Sequence, residues 1–172
     1  MQETSITKAT QTDIETLTKI GGRTYSETFA NCYYAKEMRA YYNQTFNEQS
    51  TTRQLQNPNS QFFIAWQNSQ PVGYLKINTA EGQTELNEPD SIEIERMFVL
   101  EAYQGKQIGQ LLFQKAEETA KMYRKTSIWF KIWEQKKKAI QFFQKSGFVI
   151  FDEEIFTAEN KQQTNLFMRK KL

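Results

Sequence analysis

The chain has 172 residues, and its 22 basic against 20 acidic side chains leave a net charge of +2, too balanced for a nucleic-acid or membrane-surface footprint. Aromatic residues make up 14%, which argues for a packed core, and the length suits one domain over residues 1–172. Histidine is absent, so Ser-His-Asp and Cys-His machinery and the common His-based zinc sites are excluded.

In chain order, Thr4 to Ala9 reads as a short strand. Thr10 and Asp13 form a capping box ahead of Ile14, Leu17 and Ile20 at helical spacing. Gly21-Gly22 weakens that helix, and Thr24 to Glu48 reads as further helix or loop, rich in aromatics. Thr51 to Gln56 suits another turn of helix, stopped by Asn57-Pro58. Gln61 to Gln67 and Pro71 to Thr79 form a hairpin about Asn68-Ser69, and the acidic stretch Glu81 to Asp90 follows as a surface loop. Ser91 to Leu100 is a strand, and Gln107 to Arg124 a helix with Ile108, Leu111, Leu112, Ala116 and Ala120 on one face. Ser127 to Trp133 is a strand apolar on both faces, hence central. Lys136 to Ser146 is a helix ended by Gly147, and Phe148 to Phe156 and Thr164 to Lys170 are closing strands joined by a polar loop, Thr157 to Gln163. This order gives an α/β sandwich with helices on a mixed sheet. The single Cys32 cannot form an internal disulfide, no apolar run nears the roughly 20 residues of a membrane span, and the N-terminus is polar; a reduced, cytoplasmic setting is expected.

The most informative stretch joins the strand Ile92 to Leu100 to the loop Gln104-Gly105-Lys106-Gln107-Ile108-Gly109-Gln110 and the helix that follows. A helix beginning there aims unpaired N–H groups and the positive end of its dipole into the turn, which suits a phosphate or pyrophosphate. Gly109 permits close approach, and Lys106 adds charge at the rim. A Walker loop needs Ser or Thr after Gly-Lys, where Gln107 stands, and a dinucleotide fingerprint needs a third glycine. The stretch instead resembles the acyl-CoA loop, Gln/Arg-x-x-Gly-x-Gly/Ala, of the GNAT superfamily of N-acetyltransferases, with Gln104 first, Gly109 last and Gln107 in place of the inner Gly. Trp133 to Phe148 is similar to that family's Asn-x-x-Ala-x-x-Phe-Tyr-x-x-x-Gly-Phe helix, and Glu93 to Val99 to its fourth strand. The segments Asn59 to Ile64, Val72 to Tyr74 and Gln163 to Leu166 look most like the bacterial spermidine/spermine branch.

The resemblance covers nearly the whole chain. It implies a mixed central sheet of about seven strands flanked by helices on both faces. It also implies transfer of an acetyl group from acetyl-CoA to the primary amine of a small acceptor, a polyamine being favoured, with no metal. Dimers are common in the family. The loop Gln104 to Gln110 would hold the pyrophosphate, and a bulged strand would offer the backbone of Met97, Phe98 and Val99 to the acetyl and pantetheine. Glu93 and Glu95, two apart on a strand, share a face, and either suits a general base; the alternative is that one or both are salt-bridged with Arg96 or a Lys. The family's usual general acid, a Tyr, is replaced by Phe143, and its coenzyme-contacting Asn by Lys136, which suits a phosphate or a solvated face. The thiolate then leaves to water or to another Tyr, with Tyr103 and Tyr25 as candidates. Otherwise the chain is a catalytically weakened acyl-CoA sensor. Tyr33, Tyr34, Tyr41, Tyr42 and Phe46 read as core, dimer contact or acceptor wall, and Glu81, Glu85, Glu88 and Asp90 as an attractor for a cationic acceptor.

Overall fold

The computed structural model describes residues 3–30, 35–158 and 160–172; Cys32, Tyr33 and Tyr34 lie outside them. Strand β1 (Thr4–Lys8) leads through a 3-10 turn into α1 (Ile14–Phe29). The Thr10–Asp13 capping box is present, with the Thr10 N–H donating to Asp13 Oδ2 at 2.8 Å. Gly21 and Gly22 do not break α1, although each costs roughly 0.5–1 kcal/mol against Ala in a helix. A Cβ at Gly21 would lie 2.8 Å from the Phe46 ring, and one at Gly22 2.7 Å from the Tyr42 hydroxyl. The glycines therefore let the aromatic residues of α2 (Ala35–Thr45) and the turn after it sit against α1. Next come α3 (Glu48–Gln56), capped by Asn47, then β2 (Ser60–Gln67) and β3 (Gln70–Thr79). Both turn residues of that hairpin, Asn68 and Ser69, have φ near +50 to +60°, the geometry of the tight turn that follows strand twist.

β4 (Ser91–Val99), α4 (Ile108–Met122), β5 (Ser127–Trp133), α5 (Lys137–Lys145), β6 (Val149–Ala158) and β7 (Lys161–Lys171) complete the fold. The expected polar loop Thr157 to Gln163 is instead mostly strand, for Ala158 already pairs with Lys161. Its polar residues report exposure and not absence of pairing, because the ladder is made by backbone groups.

The seven strands form one sheet in the order β1-β2-β3-β4-β5-β7-β6, antiparallel except for β4–β5. One face carries α4 and α5, with Ile108, Leu112, Phe113 and Phe143 packed on Leu75, Ile77, Ile92 and Ile94. On the other, Leu17 and Ile20 of α1 meet Phe62, Ile64 and Tyr74. Full burial of each such side chain is worth about 1.5–3 kcal/mol, so both helix layers are held firmly to the sheet.

Two irregularities in β4 matter most. Lys76 pairs with Arg96 and Ile77 with Ile94, so Glu95 has no opposite number and forms a bulge. The sequence reading expected the bulge at Met97, Phe98 and Val99, but these run in regular register against Leu75, Tyr74 and Gly73. The second irregularity is that β4 and β5 pair only from Ser91–Ser127 to Glu93–Trp129. Beyond Glu93, β4 continues with β3 and β5 continues with β7, so the sheet opens between them.

Candidate active site

The opening creates free backbone donors without a bulge at 97–99. The Leu100 N–H bonds to the Val72 carbonyl, so by antiparallel alternation Phe98 also points to β3, while Met97 and Val99 point their N–H and C=O groups toward the gap. The Val99 carbonyl there accepts a hydrogen bond from Gln104 Nε2 at 3.1 Å, which ties the following loop to the end of the strand.

That loop ends on an uncapped helix. Gly105 has φ +74° and Gln107 φ +62°, and the Gln107 side chain does not cap the first turn of α4, where Ile108, Gly109 and Gln110 present their N–H groups. Gln107 thus takes the left-handed conformation for which glycine is the usual residue. A Cβ added at Gly105 or Gly109 would meet nothing within 4 Å, so the loop surrounds open space. Lys106 is held over the Tyr103 ring at 4.8 Å. Beyond Gln110 a cavity of about 540 Å³ runs between α4 and α5, past Phe113, Phe142 and Lys145. Free amides, the positive helix end and an open cradle suit an elongated ligand carrying a pyrophosphate.

On the opposite face of β4 lies a buried charge cluster. Glu93, 2% exposed, accepts from Asn78 Nδ2 at 2.9 Å, from the Thr84 N–H at 2.8 Å and from the Thr84 hydroxyl. Glu95 accepts from the same Asn78 nitrogen at 2.6 Å, and pairs with Lys76 and with Arg96 at 3.2 Å. The two carboxylates therefore do share a face, joined by one amide. The bulge at Glu95 brings Arg96 to this face as well, where it lies over the Phe46 and Phe62 rings and bonds Gln54. Burial pushes the Glu93 carboxyl above its ordinary value, against the pull of its Thr84 and Asn78 bonds. Burial acts the same way on Glu95, but Arg96 and Lys76, helped by Asn78, outweigh it and hold that carboxyl below its ordinary value.

The other sequence-predicted residues are dispersed. Lys136 is engaged by the end of α1: its ammonium donates to the Thr28 carbonyl at 2.6 Å and lies over Phe29 at 4.4 Å. A cation at the C-terminal end of α1 is favoured by that helix dipole, which accounts for its awkward position at the start of α5. Phe143 is buried among Phe130, Phe148, Phe142 and Phe113 on the α4 face. Tyr25 packs against Phe29, Tyr41, Tyr42 and Phe46, and the Tyr103 hydroxyl donates to Gln70 Oε1 at 3.4 Å. In the acidic loop, Glu85 is paired with Lys131 and Glu88 with Arg169, which cancels half of its charge. Sequence reasoning missed Asn78, Thr84 and Lys76. A signal was there for two of them, since Lys76 and Asn78 alternate with Leu75 and Ile77 on a strand read only as apolar.

The sequence model of the acetyltransferase (GNAT) family matches residues 25–148. Over its full 172 residues the chain is 27% identical to an uncharacterized N-acetyltransferase from the pepI 3' region of Lactobacillus delbrueckii subsp. lactis, covering 99% of that protein. The fold is similar to that of the PaiA N-acetyltransferase from Thermoplasma acidophilum, solved in complex with coenzyme A, with a TM-score of 0.80 at 20% identity and 99% of each chain covered. It is also similar to the ribosomal-protein-alanine N-acetyltransferase from Brucella melitensis, with a TM-score of 0.77 at 19% identity over 98% of this chain and 99% of that one. A sheet that parts beside an uncapped, glycine-lined helix N-terminus, together with a family match over most of the chain, makes this protein a member of the acetyltransferase (GNAT) family and an acetyl-CoA-dependent N-acetyltransferase.

Proposed function

We propose that the enzyme acetylates a primary amine of a small polycationic acceptor of the polyamine class, with Glu93 as general base. The observation that carries this reading is the pair Glu93 and Glu95, bridged by Asn78 where β4 leaves β5. Acetyl-CoA supplies a thioester, and the acceptor must present a free amine although its pKa is about 10. Glu93 answers that need: with its proton affinity raised by burial, it accepts the proton through a water. Glu95 is fixed as an anion by its direct pairing with Lys76 and Arg96, which leaves Glu93 as the carboxylate free to take a proton. The loop Gln104 to Gln110 holds the pyrophosphate, and the N–H groups of Met97 and Val99 meet negative charge developing on the acyl oxygen. With Phe143 unable to donate, the thiolate takes its proton from solvent. The likeness of Asn59 to Ile64, Val72 to Tyr74 and Gln163 to Leu166 to the spermidine/spermine branch supports the acceptor class.

The test is calorimetric titration with acetyl-CoA followed by thiol release on adding spermidine, monoamines or a peptide with N-terminal alanine. We expect the highest kcat/KM with spermidine, and a loss of about 10²–10⁴ in kcat for Glu93→Gln with acetyl-CoA affinity unchanged. A preference for the peptide would overturn the acceptor class. Binding without thiol release from any amine would make the protein an acyl-CoA sensor.

A further inference from the structure

Asn78 has no part in the chemistry above, yet it is fully buried and touches both carboxylates. Two carboxylates this close ordinarily share a proton, because like charges side by side resist joint ionisation. A neutral amide with two N–H bonds to give can satisfy one oxygen of each and add no charge of its own. The Ser60 hydroxyl donates to Asn78 Oδ1 at 2.8 Å, which fixes the amide with its NH₂ toward Glu93 and Glu95. Among the described residues, the hydrogen bonds to Glu93 come from neutral groups, Asn78 and Thr84, whereas Glu95 takes the cations Lys76 and Arg96. From β5, Lys131 is engaged by Glu85 and Glu154.

We propose that Asn78 is a positioning residue for the base: its amide divides a carboxylate paired directly with cations from one bonded by neutral donors, and reserves Glu93 for the proton of the acceptor. The proposal rests on the reading of Glu93 as general base. A lysine at this position would bind both carboxylates and quench the base, and an aspartate would add a third like charge. The alternation of Tyr74, Lys76 and Asn78 along one face of β3 thus reads as a gradient, apolar under α1, cationic beneath Glu95 and neutral beneath Glu93.

The test has two readouts on the full chain. Carbon-13 titration of protein labelled at the Glu side-chain carboxyl carbon, with Glu93→Gln and Glu95→Gln to assign the signals, gives the Glu93 midpoint without any substrate. The pH profile of kcat gives its acidic limb. Hydrogen bonds to an ionised carboxylate lower its midpoint, so Asn78→Ala should raise it by about one unit and carry the acidic limb up by the same amount, with most activity regained at higher pH. Ser60→Ala, which frees the amide to turn, should give a smaller shift of the same sign, and decides the matter if Asn78→Ala does not fold. A uniform fall in kcat at every pH, or no movement of the Glu93 midpoint in either variant, would overturn the proposal. Full activity in Glu93→Gln would instead remove the base assignment, whatever the midpoint does.

Discussion

Replacing Glu95 by Gln removes the anion on which two buried cations depend. Lys76 and Arg96 have side chains only 8% and 7% exposed, and Glu95 is 18% exposed. Apart from Glu95, Lys76 and Arg96 both donate to the neutral oxygen of Gln54, and Glu93 is already bonded to Asn78 and Thr84. Breaking a buried ion pair from one side costs about 3–5 kcal/mol. The Gln amide keeps the volume and one acceptor oxygen, worth about 1 kcal/mol, so the net loss should be about 3 kcal/mol. In a chain of this size that lowers Tm by about 6–12 °C. Urea unfolding followed by tryptophan fluorescence should show the midpoint falling with an unchanged m-value. The sign of the pH dependence follows from the depressed Glu95 carboxyl, whose ordinary value is 4.5. Its contribution is fully present above that value and disappears as pH falls through the lower, folded-state value. Wild type and Glu95→Gln should therefore differ fully at neutral pH and converge below pH 4.5. A neutral-pH difference under about 0.5 kcal/mol, or a gap that persists in acid, would refute the claim that this carboxylate neutralises the cluster.

The two glycines of α1 should respond differently to Ala. At Gly21 the obstacle is the buried Phe46 ring, so Gly21→Ala should lose about 1–3 kcal/mol by thermal unfolding; at Gly22 only the end of the Tyr42 side chain must move, and Gly22→Ala should be neutral within about 0.5 kcal/mol. Gly109→Ala should separate stability from ligand binding, raising Tm slightly through helix propensity because its Cβ meets nothing, while weakening acetyl-CoA in calorimetric titration. Gln107→Gly should stabilise the protein by up to about 1 kcal/mol, because it relieves a side chain held at φ +62°; a loss of stability would show that the Gln side chain, not its backbone, is what matters there.

Features set by a few consecutive residues were legible in the sequence. The Asn68-Ser69 hairpin, the Thr10–Asp13 cap, the turn from Gln104 into α4 and the common face of Glu93 and Glu95 all follow from local φ/ψ preferences and strand period. The alternation of strands and helices carried the layered fold in the same way. Features made by groups far apart in the chain were not legible. Lys136 reaches Thr28 across 108 positions, and Asn78 bridges carboxylates 15 and 17 positions away. The bulge at Glu95 that turns Arg96 inward, and the three-residue pairing of β4 with β5 that opens the sheet, depend on register between strands. Register is decided by the summed packing of both helix layers, a quantity that no short stretch of sequence contains.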